Sequence, residues 1–144
     1  MTVSRDAATG PEIHNPETMF DPERLAFSQL AIVPSGARTI FIAGQGGGGS
    51  PKGDFTKQVE TALLSIGMAM TAAGGTINGL AKLTIYVVNH DKAKHAIIIK
   101  QVRAAFAARL TPTCTIVPLT QLGTDPDMLV EIEASGVLPK ALSA

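Results

Sequence analysis

At 144 residues the chain is sized for one domain around one core. Its 12 Lys and Arg balance 12 Asp and Glu, which removes the long-range field that nucleic-acid binders use to gather phosphates, so no nucleic-acid partner is expected. Charged residues make up 17%, below the roughly 25% of a typical soluble domain, and the mean hydropathy is +0.23; a surface this short of charge predicts that copies of the chain cover one another.

The single cysteine, Cys114, excludes an intramolecular disulfide, and no CxxC or Cys/His cluster offers a zinc site. No metal and no cofactor are expected. The first twenty residues hold no apolar signal core, and no run approaches the roughly 18 apolar residues of a membrane span, which predicts a soluble, cytoplasmic protein with no membrane partner.

Residues 1–24 are polar, carry Pro11, Pro16 and Pro22, and lack helical or strand periodicity, so they read as an extended N-terminal arm before a domain at 25–144. Phe27 to Val33 and Thr39 to Ala43 are short apolar runs joined by the turn sequence Pro34-Ser35-Gly36-Ala37, the pattern of a hairpin. Asp54 is placed to cap a helix in which Phe55, Val59, Ala62, Leu63, Ile66, Met70 and Ala73 recur at helical spacing until Gly74-Gly75. Ala81 to Val88 alternates, with Leu83, Ile85 and Val87 on one side and Lys82, Thr84 and Tyr86 on the other. Asn89-His90-Asp91 turns the chain into a second helix, read from Lys92 to Leu110 with Ala96, Ile99, Val102, Phe106 and Leu110 as its apolar stripe. Thr111-Pro112 stops it, and Cys114 to Leu119 and Met128 to Gly136 read as the last strands. The order ββαβαββ predicts an α+β fold, a mixed sheet with both helices on one face.

Gly44-Gln45-Gly46-Gly47-Gly48-Gly49 formally satisfies the dinucleotide fingerprint G-x-G-x-x-G. Ser50-Pro51-Lys52-Gly53 separate it from the helix, however, so no helix N-terminus follows the last glycine to meet a pyrophosphate, and a strand-to-helix loop is the better reading. His14, His90 and His95 are scattered and form no HxxxH pair, which reads as solvent-facing or internally satisfied histidines. Glu131 and Glu133 lie two apart in an apolar strand, so both carboxylates share one sheet face, either as ordinary exposed glutamates or as a functional pair.

Several segments together resemble the YjgF/Rid family of reactive intermediate deaminases, also called L-PSP endoribonucleases. They are Phe27-Ser28-Gln29, Ile42-Ala43-Gly44-Gln45, Gly53-Asp54-Phe55 with Gln58, Ala72-Ala73-Gly74, Leu80 to Val87, Pro112-Thr113-Cys114-Thr115, and the closing Val130-Glu131-Ile132-Glu133-Ala134. The resemblance covers about residues 25–138 and implies a chorismate-mutase-like subunit that forms a homotrimer with small-molecule clefts between subunits. It also implies a catalytic role for Glu131 and a cleft lined by Phe27, Gly44, Ile97 and Thr115. Cys114 stands where the family's carboxylate-gripping arginine falls, Phe27 replaces a tyrosine, and Ile97 replaces an asparagine. A neutral thiol offers only a weak donor in place of a bidentate guanidinium, so activity on ordinary 2-imino acids is not expected and an uncharged or hydrophobic ligand suits the cleft better. The reactions left open are hydrolysis of an atypical enamine or imine and tautomerisation, with Glu131 as base; Cys114 as a nucleophile is a variant of this reading. A ligand-binding protein without chemistry and an RNA-acting protein are the alternatives.

Overall fold

The computed structural model describes residues 2–4, 10–48, 50–107, 110–123 and 125–139. Its strands are β1 (Thr2–Ser4), β2 (Glu12–Asn15), β3 (Leu30–Ile32), β4 (Arg38–Gly46), β5 (Leu80–Val88), β6 (Thr113–Leu119) and β7 (Val130–Leu138), with helices α1 (Phe55–Ala72) and α2 (Lys92–Ala105). The main sheet has the order β4-β7-β5-β6. Its β4–β7 and β7–β5 pairs are antiparallel and its β5–β6 pair is parallel, joined through α2. This is the α+β, mixed-sheet architecture that the element order predicts.

The helix ends follow from local chemistry. Asp54 accepts the Lys57 N–H at 3.0 Å, satisfying one of the free amides at the start of α1, and Asp91 does the same for α2 through Lys94 N–H at 2.8 Å. Past the end of α1, Gly74 takes φ +88°, so that its N–H reaches Thr71 O and the Gly75 N–H reaches Met70 O, the paired closure of a helix C-terminus that glycine makes possible.

The alternation in β5 sorts its residues as read. Leu83, Ile85 and Val87 are fully buried, as are Val130 and Ile132 of β7, and they pack on Val59, Ala62, Ile66 and Met70 of α1 and on Ile98 and Val102 of α2. Each such side chain contributes about 1.5–3 kcal/mol by leaving water. The opposite sheet face carries Lys82, Thr84, Tyr86, Glu131 and Glu133, along with Phe41, which is 82% exposed.

Three expectations change. The hairpin between the segments around Phe27 and Thr39 does not form, although its turn does, with Ala37 N–H donating to Pro34 O. Ser28 N–H bonds Pro112 O and bridges in parallel to Thr113 at β6, the sheet edge opposite β4, so β3 cannot reach β4 and pairs with β2 instead. The segment read as an arm supplies β1 and β2, and Ile13 of β2 is fully buried; residues 1 and 5–9 of that segment lie outside the described residues, as do Gly49 and residues 140–144. The second helix ends at Ala105, with Phe106 leaving it at φ −115°; residues 108–109 of the expected span lie outside the described residues. Its buried stripe is Ile98, Val102 and Phe106, not one starting from the exposed Ala96.

Candidate functional site

Glu131 and Glu133 do share the open face, and their surroundings differ. Glu133 Oε1 accepts from Tyr86 Oη at 2.8 Å. That hydrogen bond, with burial and the nearby charges of Glu133 and Glu131, raises the phenol above its ordinary value, since a phenolate would lose the bond and face two carboxylates. Glu131 is half-buried and sits between Tyr86 of β5 and Gly46 of β4. A register shift in β4 between Ile42 and Gln45 brings the bare backbone of Gly44 beneath its carboxylate: a Cβ on Gly44 would lie 1.9 Å from Glu131 Oε1. Gly44 and Glu131 are thus one unit, a carboxylate laid across a strand that has no side chain at that point. Among the described residues its side chain accepts no hydrogen bond.

Cys114 lies on the other face. It pairs in register with the fully buried Leu83 and forms one wall of a cavity of about 140 Å³. Ile116 continues that wall, α2 contributes His95, Ile98, Ile99 and Val102, and the segment Leu25 to Phe27 closes it. Burial pushes the Cys114 thiol up to about 12, so it is protonated at neutral pH and no nearby group makes it a thiolate. Phe27 is held from two sides. Ala26, at φ +57°, turns the chain out of a short helical turn, Glu23–Leu25, and Arg103 donates to Glu23 O and Arg24 O at 3.0 Å each. The Phe27 ring also meets Phe20 edge-on at 5.9 Å between centroids.

The sequence-derived residues therefore fall into two groups, Phe27 with Cys114 on the helix side and Gly44 with Glu131 on the open side. Thr115 is exposed on Glu131's face, opposite Thr84. Ile97 is half-buried against the core and is not part of the cavity wall. His95, passed over in the sequence as a scattered histidine, is in that wall, and the spacing 95, 98, 102, 106 along the buried stripe was the signal for it.

The glycine run serves packing. A Cβ on Gly47 would lie 2.4 Å from Gln58 Cβ, and Gln58, 2% exposed, uses its amide to accept Leu129 N–H at 2.9 Å and donate to Asp127 O at 3.3 Å. The run lets the chain pass over α1 where Gln58 anchors the entry to β7. Among the described residues no group of three or more His, Cys, Asp or Glu is placed to hold a metal ion, and no helix is long and apolar enough to cross a membrane. A wider groove of about 880 Å³ runs between the outer faces of α1 and α2 past Leu64, Gly67 and Met68.

The family model for Endoribonuclease L-PSP matches residues 21–138. Among solved structures, the chain is similar to YyfB from Yersinia pestis, described as a protein of unknown function of the conserved Rid family, at 31% identity and a TM-score of 0.82, covering 90% of this chain and 99% of that one. It is also similar to Rv2704 from Mycobacterium tuberculosis, of the YjgF/YER057c/UK114 family, at 25% identity and a TM-score of 0.61, covering 90% and 100%. The YjgF product of E. coli matches at 25% identity and a TM-score of 0.60, covering 73% and 84%. No curated protein matches the sequence. The chain belongs to the L-PSP family, known also as YjgF or Rid.

Proposed function

We propose that the protein assembles as a trimer in which the Gly44–Glu131 face of one subunit meets the Phe27–Cys114 wall of the next, and that an uncharged small molecule binds between them. The observation that carries the reading is the division of the site: the carboxylate and the apolar wall sit on opposite faces of one sheet, so a second copy is needed to bring them together. The uncovered face with Phe41 82% exposed and the low charge content support the same assembly. A carboxylate ligand would have to be buried against hydrocarbon and a protonated thiol with no guanidinium, at a cost of several kcal/mol, which favours a neutral ligand.

The chemistry open to such a cleft is general-base catalysis by Glu131. Its carboxylate takes a proton from water as the water oxygen bonds to an imine carbon and returns that proton to nitrogen; it then takes the hydroxyl proton of the carbinolamine and passes it to the same nitrogen as the C–N bond breaks, and a carbonyl compound and an amine leave. The same carboxylate could move a proton between carbon and nitrogen in an enamine–imine tautomerisation. The test is turnover of uncharged imines against 2-imino acids released by an amino-acid oxidase. The reading expects the first to be favoured and Glu131→Gln to lose at least a hundredfold in rate; undiminished activity in that variant, or rates on 2-imino acids matching an arginine-containing relative, would overturn it. Thermal stabilisation by a ligand that is recovered unchanged would favour a binding protein without chemistry. An RNA-acting role, which the family description suggests, is disfavoured by the balance of basic and acidic residues.

A further inference from the structure

The cavity beside Cys114 has one strongly polar side chain in its wall, His95, and that side chain is not alone. His95 Nδ1 lies 3.3 Å from His90 Nε2, and the two rings meet edge to face at 5.4 Å between centroids. His90 Nδ1 is buried and has no partner. Two N–H groups cannot face each other across the shared contact, so one nitrogen of the pair donates and the other accepts. The orphaned Nδ1 decides which. A buried N–H without an acceptor is rarer and costlier than a buried lone pair without a donor, so His90 carries its hydrogen on Nε2 and gives it to His95 Nδ1. His95 then carries its own hydrogen on Nε2, the nitrogen left over for the cavity.

The remaining walls are hydrocarbon apart from the Cys114 thiol, built from Leu25, Phe27, Ile98, Ile99 and Ile116 among others. The volume of about 140 Å³ is close to that of an engineered Leu/Ile/Phe-lined cavity of about 150 Å³ that stays dry and takes up benzene. We propose that His95, positioned by His90, is a ligand-binding residue, and that the cavity accepts an uncharged six-membered ring or branched alkyl group whose carbonyl or hydroxyl oxygen accepts from His95 Nε2. The assignment names the ligand class for the cleft proposed above and rests on that reading for any role of Glu131. The pocket itself is complete within one chain.

Cyclohexanone, cyclohexane and cyclohexanecarboxylate share a ring and differ in the acceptor and the charge, which makes them suitable probes. Titration of the labelled protein, followed by NMR of the His95 ring and the Ile98 and Ile116 methyls, should show saturable binding of cyclohexanone about three- to tenfold tighter than of cyclohexane, the ratio one hydrogen bond supplies, and none of the carboxylate. His95→Phe should erase the preference while keeping cyclohexane binding, and His95→Gln, which retains a donor, should restore part of it. His90→Leu should reduce the preference without abolishing ring binding, the behaviour of a positioning residue. Equal affinity for the two neutral rings, tighter binding of the carboxylate, or no saturable shift at millimolar concentrations would each overturn the proposal. Loss of Glu131-dependent chemistry with intact cyclohexanone binding would remove the catalytic reading and leave the cavity assignment standing.

Discussion

Replacing the Cys114 thiol tests how deeply it is buried. In the folded protein burial pushes the thiol up to about 12, against an ordinary value of 9.0. Between those values the unfolded chain has released its proton and the folded chain has not. The unfolded state then binds fewer protons, and stability falls as pH rises. The loss grows by about 1.4 kcal/mol per pH unit above the unfolded value, which puts it at about 2 kcal/mol by roughly pH 10.5 relative to neutral pH. Cys114→Ala removes this contribution, and its own packing cost, about 1 kcal/mol for so small a deletion, does not vary with pH. Urea unfolding of both proteins at the two pH values isolates the effect, because lysine and tyrosine titrations are common to both and cancel in the difference. Wild type should lose about 2 kcal/mol more than the variant between the two conditions. Parallel losses would refute the burial argument and bring Cys114 back as a candidate thiolate.

Other outcomes follow from single contacts. Ile132→Ala empties a fully buried site on β7 beneath the helices and should cost about 2–5 kcal/mol in chemical denaturation. Gln58→Leu leaves Leu129 N–H and Asp127 O without their partners, so a loss of about 2–4 kcal/mol is expected, seen as a lowered denaturation midpoint. Gly44→Ala puts a methyl where Glu131 Oε1 lies; because the carboxylate can swing away, the melting temperature should change little while imine turnover falls as far as in Glu131→Gln. Arg103→Ala removes both bonds to the turn before Phe27 and should speed amide exchange at Ala26 and Phe27, with a stability loss of about 1 kcal/mol.

Much of the architecture was legible because the local signals agreed with the tertiary packing. Asp54 and Gly74 bound the first helix in sequence and in structure, and strict alternation placed Leu83, Ile85 and Val87 inside and put Glu131 and Glu133 on one face. The misreadings all involve contacts distant in sequence. The segment at Phe27 has hairpin propensity, but the bond from Ser28 to Pro112 ties it to the far edge of the sheet. In the second helix three consecutive isoleucines, Ile97, Ile98 and Ile99, blur the stripe; packing against α1 and the sheet selects Ile98, which brings His95 into the cavity wall and leaves Ile97 out of it. The seat of Glu131 over Gly44 depends on a one-strand register shift that no periodicity announces. That Cys114 and Glu131 face opposite ways also follows from register, since β6 pairs Cys114 with Leu83 while β7 pairs Glu131 with Tyr86.

The proposed site is a cleft that one chain cannot make alone. Sedimentation equilibrium of the purified protein at micromolar concentration measures this most directly. A mass of three 14.9 kDa chains is the predicted result, and a monomer under the same conditions would contradict the shared site.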